Sequence, residues 1–94
     1  MKRGELWLAE LDKRRPAVIF RAVPWLNEIH IVPITSTIRG LPSEIEILSL
    51  PKASVANAQR LMLLPKAQLV RRVGRVPEQF MDELTDAICA VLGC

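Results

Sequence analysis

Between Gly4 and Leu11 polar and apolar positions alternate, with Leu6, Leu8 and Glu10 on one side and Glu5, Trp7, Ala9 and Leu11 on the other. A period of two puts successive side chains on opposite faces of a strand, so this stretch predicts a first strand. Asp12-Lys13-Arg14 reads as a short polar turn. Pro16 to Arg21 is continuously apolar up to its last residue, rich in β-branched and aromatic side chains, and predicts a buried second strand. Pro16 has no N–H to give a ladder and belongs at the first position of that strand or at a sheet edge. After a loop over Val23 to Asn27, Glu28 to Ile34 predicts a third strand, with Ile29 and Ile31 opposite His30 and Val32. Arg39-Gly40-Leu41-Pro42 is a turn, and Glu44-Ile45-Glu46-Ile47 alternates as a half-exposed fourth strand.

Ser54 to Leu64 carries two opposed signals. Its Ala-rich first half favours a helix by propensity, whereas Val55 and the Leu61-Met62-Leu63-Leu64 run suit a strand packed on both faces. Pro65 ends either element. Lys66 to Leu69 predicts one helical turn, and Val70 to Val76 a basic strand. From Pro77 the period changes to 3.6, with Phe80, Leu84, Ala87, Ile88 and Val91 on one face and Glu78, Asp82, Glu83 and Asp86 on the other. Pro77 suits the first helical turn, the early acids favour the positive end of the helix dipole, and Gly93 supplies the stop. Several short strands followed by one terminal helix give a mainly β (α+β) fold, a strongly bent sheet with the helix against it. One helix cannot cover both faces of a five- or six-stranded sheet. Closure into a barrel and burial against a second copy are both expected.

At 94 residues the chain is read as one domain, 1–94, with a modest core. The formal charge of +3 is mild, but Arg14, Arg15, Arg21, Arg39, Arg71, Arg72 and Arg75 fall in loops and strands while acids gather in the last helix. Such a distribution suits nucleic acid as well as a solvated surface. Cys89 and Cys94 have no neighbouring His or second cysteine pair, which argues against zinc. Bridging them would require the helix end to unwind, so free thiols in a reducing cytoplasm are expected. Glu5, Glu10 and Asp12 break the first apolar run before a secretory signal forms, and no run approaches the roughly 20 apolar residues of a membrane span. A cytoplasmic protein with no membrane association is expected.

The candidate chemistry lies in Val32-Pro33-Ile34-Thr35-Ser36-Thr37-Ile38-Arg39-Gly40-Leu41-Pro42, where a strand runs into a hydroxyl cluster, a cation and a Gly/Pro turn. Short donors beside a guanidinium are what phosphate recognition requires. The single histidine, His30, lies in mid-strand without clustered carboxylates, and the glycines form no phosphate loop. No metal and no cofactor are expected. Metal-free phosphoryl chemistry survives, because RNA brings its own nucleophile, the 2′-OH. The protein then has to align that oxygen, stabilise the phosphorane and move protons. Arg15, starting the second strand, and Thr35, ending the third, meet if those strands are neighbours. Taken alone, each also has a plain structural reading as a solvated turn residue or a strand-end hydroxyl serving the backbone.

Three pieces in order, Arg3-Gly4-Glu5-Leu6-Trp7, Arg14-Arg15-Pro16-Ala17-Val18 and Pro33-Ile34-Thr35-Ser36 with its Arg39-Gly40-Leu41-Pro42 turn, resemble the MazF/PemK toxin endoribonucleases. Ser54-Val55-Ala56-Asn57 and Gly74-Arg75-Val76 extend the resemblance over nearly the whole chain. It implies a small SH3-like β-barrel with a C-terminal helix, MazF/CcdB-like, that forms a homodimer. It further implies metal-independent, sequence-specific cleavage of single-stranded mRNA to 2′,3′-cyclic phosphate and 5′-OH ends, and a cognate antitoxin as partner. The family's catalytic arginine falls on Arg15, for phosphorane stabilisation and proton transfer, and its threonine on Thr35, for the phosphate or the leaving group. Arg14, Ser36 and Arg39 are candidates for RNA contact. Trp7 and Trp25 are candidates for base stacking, set against a core or interface role.

The chain departs from the family in two places. The loop after the first strand is short, so the Glu proposed as a base in some members is absent. The family's Asp-Gln-(Ile/Leu)-Arg-Thr reads Gln59-Arg60-Leu61-Met62-Leu63. A weak or inactive MazF-like binder of RNA or antitoxin is therefore one alternative. A CcdB-like toxin acting on a protein is another, disfavoured because the last helix ends without a tryptophan.

Overall fold

The computed structural model describes residues 1–48 and 50–94. Seven strands are found among them: β1 (Glu5–Glu10), β2 (Arg14–Ala22), β3 (Glu28–Thr35), β4 (Glu44–Ile47), β5 (Ser54–Asn57), β6 (Met62–Pro65) and β7 (Leu69–Arg75), followed by helix α1 (Glu78–Leu92). Their order is β4-β5-β3-β2-β1-β7, every registered pair is antiparallel, and β6 also pairs with β3. β3 is the shared strand. Its first half, Glu28 to Ile31, pairs with β6, while Ile34 and Thr35 pair with β5 on the way to β4. Two partners in sequence along one strand require the sheet to bend there, which produces the barrel-like shape. The end strands β4 and β7 do not pair with each other among the described residues.

The contest over Ser54 to Leu64 ends in two strands rather than a helix, and so raises the strand number above the expected five or six. Ala58–Arg60 forms a single 3₁₀ turn between β5 and β6, begun by Asn57 Oδ1, which accepts the Gln59 N–H at 3.0 Å. Val55 and Ala56 are buried in the sheet, and that burial overrides their helical context. Pro16 is the third residue of β2 rather than its first. It pairs with Leu8, and the registered pairs with β3 begin only at Ala17, so it sits where the strand has one ladder neighbour. The short turn over Lys66–Gln68 is present as expected.

Both faces of the sheet are buried, by different means. On one side α1 lays Phe80, Met81, Leu84 and Ile88 over Leu6, Val18, Val32 and Ile34. On the other, Ile19, Ile29, Ile31, Leu64 and Leu69 pack together without a helix, because the sheet curls over itself. The opposite parity of Val18 and Ile19 shows why β2 reads as a continuous apolar run. Pro77 is the N-cap, outside the helix, and Gly93 closes it in the left-handed region at φ +80°. Val91 is exposed rather than buried, since α1 packs on β4 and the Ala58–Arg60 turn and its last turn runs past them.

Cys89 and Cys94 are paired, contrary to the expected free thiols. The helix does not unwind to achieve this. Gly93 turns the chain back, Gly93 and Cys94 both donate N–H groups to Cys89 O, and the two Cα atoms come within 4.7 Å.

The opening motif has a structural role throughout. Arg3 donates to Phe20 O at 2.8 Å and Thr85 Oγ1 at 2.6 Å, with its guanidinium 4.8 Å from the Phe20 ring centre, and so ties the amino terminus to β2 and α1. Gly4 holds φ +89° and is buried, with Met81 Cγ only 3.6 Å from where a Cβ would stand. Glu5 is 8% exposed and accepts from Lys2 N and Trp7 Nε1, with Arg72 Nε at 3.4 Å. Burial pushes its carboxyl upward, but the Trp7 and Lys2 donors and the nearby Arg72 and amino-terminal charges bring it below the usual carboxylate range.

Candidate active site

Strand register brings the two leading candidates together. The pair Ala17↔Pro33, continued two residues toward the start of β2, sets Arg15 opposite Thr35. Residues two apart share a face, so Arg15, Ala17, Pro33 and Thr35 look the same way. Across β3, the pair Thr35↔Val55 continues to set Pro33 opposite Asn57, which itself pairs with Glu44 of β4. These residues form part of a groove of ≈ 770 Å³ bordered by the turn after β1, the loop after β3 and the Ala58–Arg60 turn.

Arg15 is held low in this groove, its side chain 24% exposed. One terminal nitrogen donates to Asp12 Oδ2 at 3.2 Å. Its Nε is buried with no hydrogen-bond partner among the described residues. A buried donor left unpaired costs about 1–3 kcal/mol, and an anion meets this guanidinium through the part of the side chain that remains exposed to the groove. Thr35 Oγ1 accepts the Thr37 N–H at 3.1 Å. That contact fixes the oxygen and leaves its own O–H proton available as a donor.

Arg39 also lines the groove, and Glu44 determines where its loop lies. The carboxylate accepts the Arg39 N–H at 3.1 Å and the Leu41 N–H at 2.9 Å, around Gly40 at φ +73°. The Leu41 N–H is the leading cause of a carboxyl held below its usual range, opposed by partial desolvation and assisted by the Arg39 and Gly40 N–H groups and the Arg39 charge.

Arg14 and Ser36 are not brought to the groove. Arg14 follows Arg15 in the opposite strand parity and is ion-paired with Glu10, its Nε donating to Glu10 Oε1 at 2.7 Å. Ser36 is exposed and absent from the lining. Trp7 is half-buried against the second core cluster and bonded to Glu5, as a structural residue would be. Trp25 is 82% exposed, in the loop between β2 and β3.

Arg60, Asn57 and Asp12 line the groove without having been singled out for it by the sequence. For Asn57 the signal was its place in a strand pair that only the register of β5 discloses. The basic residues also divide. Arg15, Arg39 and Arg60 face the groove together with Glu10, Asp12 and Glu44, while Arg3 and Arg75 border a separate hollow beside the start of α1. The groove is thus a charged surface of both signs, not a basic strip.

A partly exposed guanidinium and a hydroxyl, set on one face of adjacent strands in the lining of a single groove, can hold a phosphate between them. A small, bent β-sheet backed by one terminal helix carries this pair. The chain belongs to the PemK-like, MazF-like toxins of type II toxin-antitoxin systems, whose family model matches residues 2–92. A probable endoribonuclease, MazF5 of Mycobacterium tuberculosis, is 33% identical, over 98% of this chain and 93% of that protein. Among solved structures, the Mycobacterium tuberculosis toxin MazF-mt6 superposes with a TM-score of 0.88 at 28% identity, covering 95% of this chain and 96% of that one. A mycobacterial endoribonuclease in complex with its cognate antitoxin superposes at 0.87 with 23% identity, over 99% and 95%, a likeness of fold.

Proposed function

We propose that this toxin-family endoribonuclease cleaves single-stranded RNA at a short sequence without a metal ion, leaving 2′,3′-cyclic phosphate and 5′-OH ends. It acts as one domain, residues 1–94, within a homodimer in the cytoplasm, and a cognate antitoxin restrains it. The observation that carries the reading is the register that sets Arg15 opposite Thr35 at the floor of the groove. Arg15 stabilises the charge that develops on the phosphorane through the guanidinium it presents to the groove. Thr35 positions the phosphate or donates toward the leaving oxygen. Arg39 contacts the RNA backbone from the rim. Ser36 and Arg14 contribute only at the periphery, since neither lines the groove.

One further feature supports it: the groove, of ≈ 770 Å³, is open to solvent, as an unstacked strand requires. The test is incubation of the purified protein with a long single-stranded RNA in EDTA, followed by mapping of the ends. Discrete cuts with cyclic-phosphate ends, absent for Arg15→Ala, are expected. Intact RNA from a folded protein would favour an inactive binder or a toxin that acts on a protein.

A further inference from the structure

Three arginines line the groove, and their surroundings differ. Arg15 donates to Asp12. Arg39 sits in the loop that wraps the Glu44 carboxylate. Arg60 is exposed, and its side chain makes no ion pair and no hydrogen bond among the described residues. The N–H donors of its fork are therefore open to a ligand.

The backbone beneath Arg60 is fixed on several sides. Asn57 Oδ1 accepts the Gln59 N–H at 3.0 Å, and the Ala58 N–H donates to Ser43 O at 2.8 Å. Ala58 is itself buried in the core that α1 covers. An arginine on an anchored turn gives up little backbone freedom when it binds, which suits recognition of a defined shape more than loose attraction to charge. Its place along the groove also separates it from the phosphate seat. Thr35 pairs with Val55, Asn57 lies two residues further along β5, about 7 Å on, and Arg60 stands beyond it at the end of the turn. Between them Pro33 and Met62 line the groove with apolar surface on which the flat face of a base can lie.

We propose that Arg60 is a specificity-determining residue that reads a guanine beside the cut, an assignment that rests on the endoribonuclease function proposed above. With the scissile phosphate held by Arg15 and Thr35, the strand brings a neighbouring base to Arg60. A guanidinium is a planar fork with parallel N–H groups and fits an edge that carries two acceptors side by side. Guanine presents O6 and N7 in that way. Adenine sets an amino donor beside N7, which meets the fork donor to donor, while uracil offers one acceptor and cytosine a donor on the same edge. Arg60 falls in the segment where this chain departs from the family motif, so the base read there is a property of this chain's own residues.

The experiment is cleavage of a pool of single-stranded RNA randomised around the mapped cut, with cut and uncut molecules sequenced, for the wild type and Arg60→Lys. All sequences compete in one tube, so the preference at each position is read independently of the overall rate. Lysine keeps the charge and loses the fork. The expected result is a wild-type preference for guanine at one position near the cut of about 10–100-fold, which Arg60→Lys flattens there and nowhere else. The wild type is also expected to cut a defined strand more slowly when that guanosine is replaced by 7-deazaguanosine, which lacks the N7 acceptor. Thermal melting confirms the fold of the variant. A wild type that cuts without guanine preference at any position overturns the proposal and leaves the endoribonuclease reading standing. Equal cutting of the guanosine and 7-deazaguanosine strands overturns it too. So does an Arg60→Lys loss that is equal for every sequence with the guanine preference intact, because that pattern belongs to a phosphate contact. A folded wild type that cuts no RNA overturns the endoribonuclease reading itself, and this assignment with it.

Discussion

Arg15→Met separates stability from activity in opposite directions. Methionine keeps an apolar stem of similar length in the groove and removes every N–H. The buried Nε has no partner among the described residues, so its removal relieves about 1–3 kcal/mol of desolvation. Against this stands the loss of the pair with Asp12, which is 75% exposed and by that exposure worth about 0–1 kcal/mol. The balance is a gain of about 1 kcal/mol, which for a domain of this size raises Tm by about 4–8 °C. Activity moves the other way. Loss of a preorganised donor to developing charge lowers kcat by about 10²–10³-fold or more. Paired measurements of melting and of cleavage on a mapped oligoribonucleotide check both. A Tm that falls by a similar amount would refute the reasoning, since it would mean that Nε is satisfied in the folded protein. Unchanged cleavage would refute the role of Arg15.

Thr35→Ser keeps the oxygen that accepts the Thr37 N–H and should retain most activity, whereas Thr35→Val should lose about 10–100-fold, an effect of about 1.4–2.8 kcal/mol, as end-mapping with a labelled strand would show. Gly40→Ala places a Cβ at φ +73°, where space is open but the backbone is unfavourable, so it should lower stability by about 1–2 kcal/mol, readable in urea melts. Glu44 is depressed in the folded state, so its contribution is present above its unfolded value and lost as pH falls through the lower folded one. Hydrogen exchange at the amides of Arg39 and Leu41 should therefore lose protection on acidification. Glu44→Gln should show the weaker protection already at neutral pH.

Alternation in β4 was legible because Glu46 turns outward between the inward Ile45 and Ile47, and the 3.6 period of α1 because its apolar stripe meets the sheet. Ser54 to Leu64 was not, since Ala and Gln prefer helix locally and only the pairing of β5 and β6 with β3 decides the matter. Arg15 and Thr35 were found as members of a motif, and the register of β2 on β3 then supplied the physical link between them. Arg14 and Ser36 illustrate the converse. Each neighbours a groove residue in sequence, and strand parity or the end of the strand sends it elsewhere. The cysteine pair depended on the turn made by Gly93, which ring closure at a spacing of five does not disclose.

The Arg3-to-Trp7 stretch has a consequence for how relatives of this chain are to be understood. Its members fasten the amino terminus to β2 and α1, fill a left-handed bend and satisfy a buried acid. None of them lines the groove. A descendant that had lost Arg15 would still need that fastening in order to fold, and would keep the signature by which its ancestry is recognised. The opening motif therefore certifies descent and foldability, while the power to cut RNA has to be read separately, from the few positions where β2 and β3 face each other across the groove.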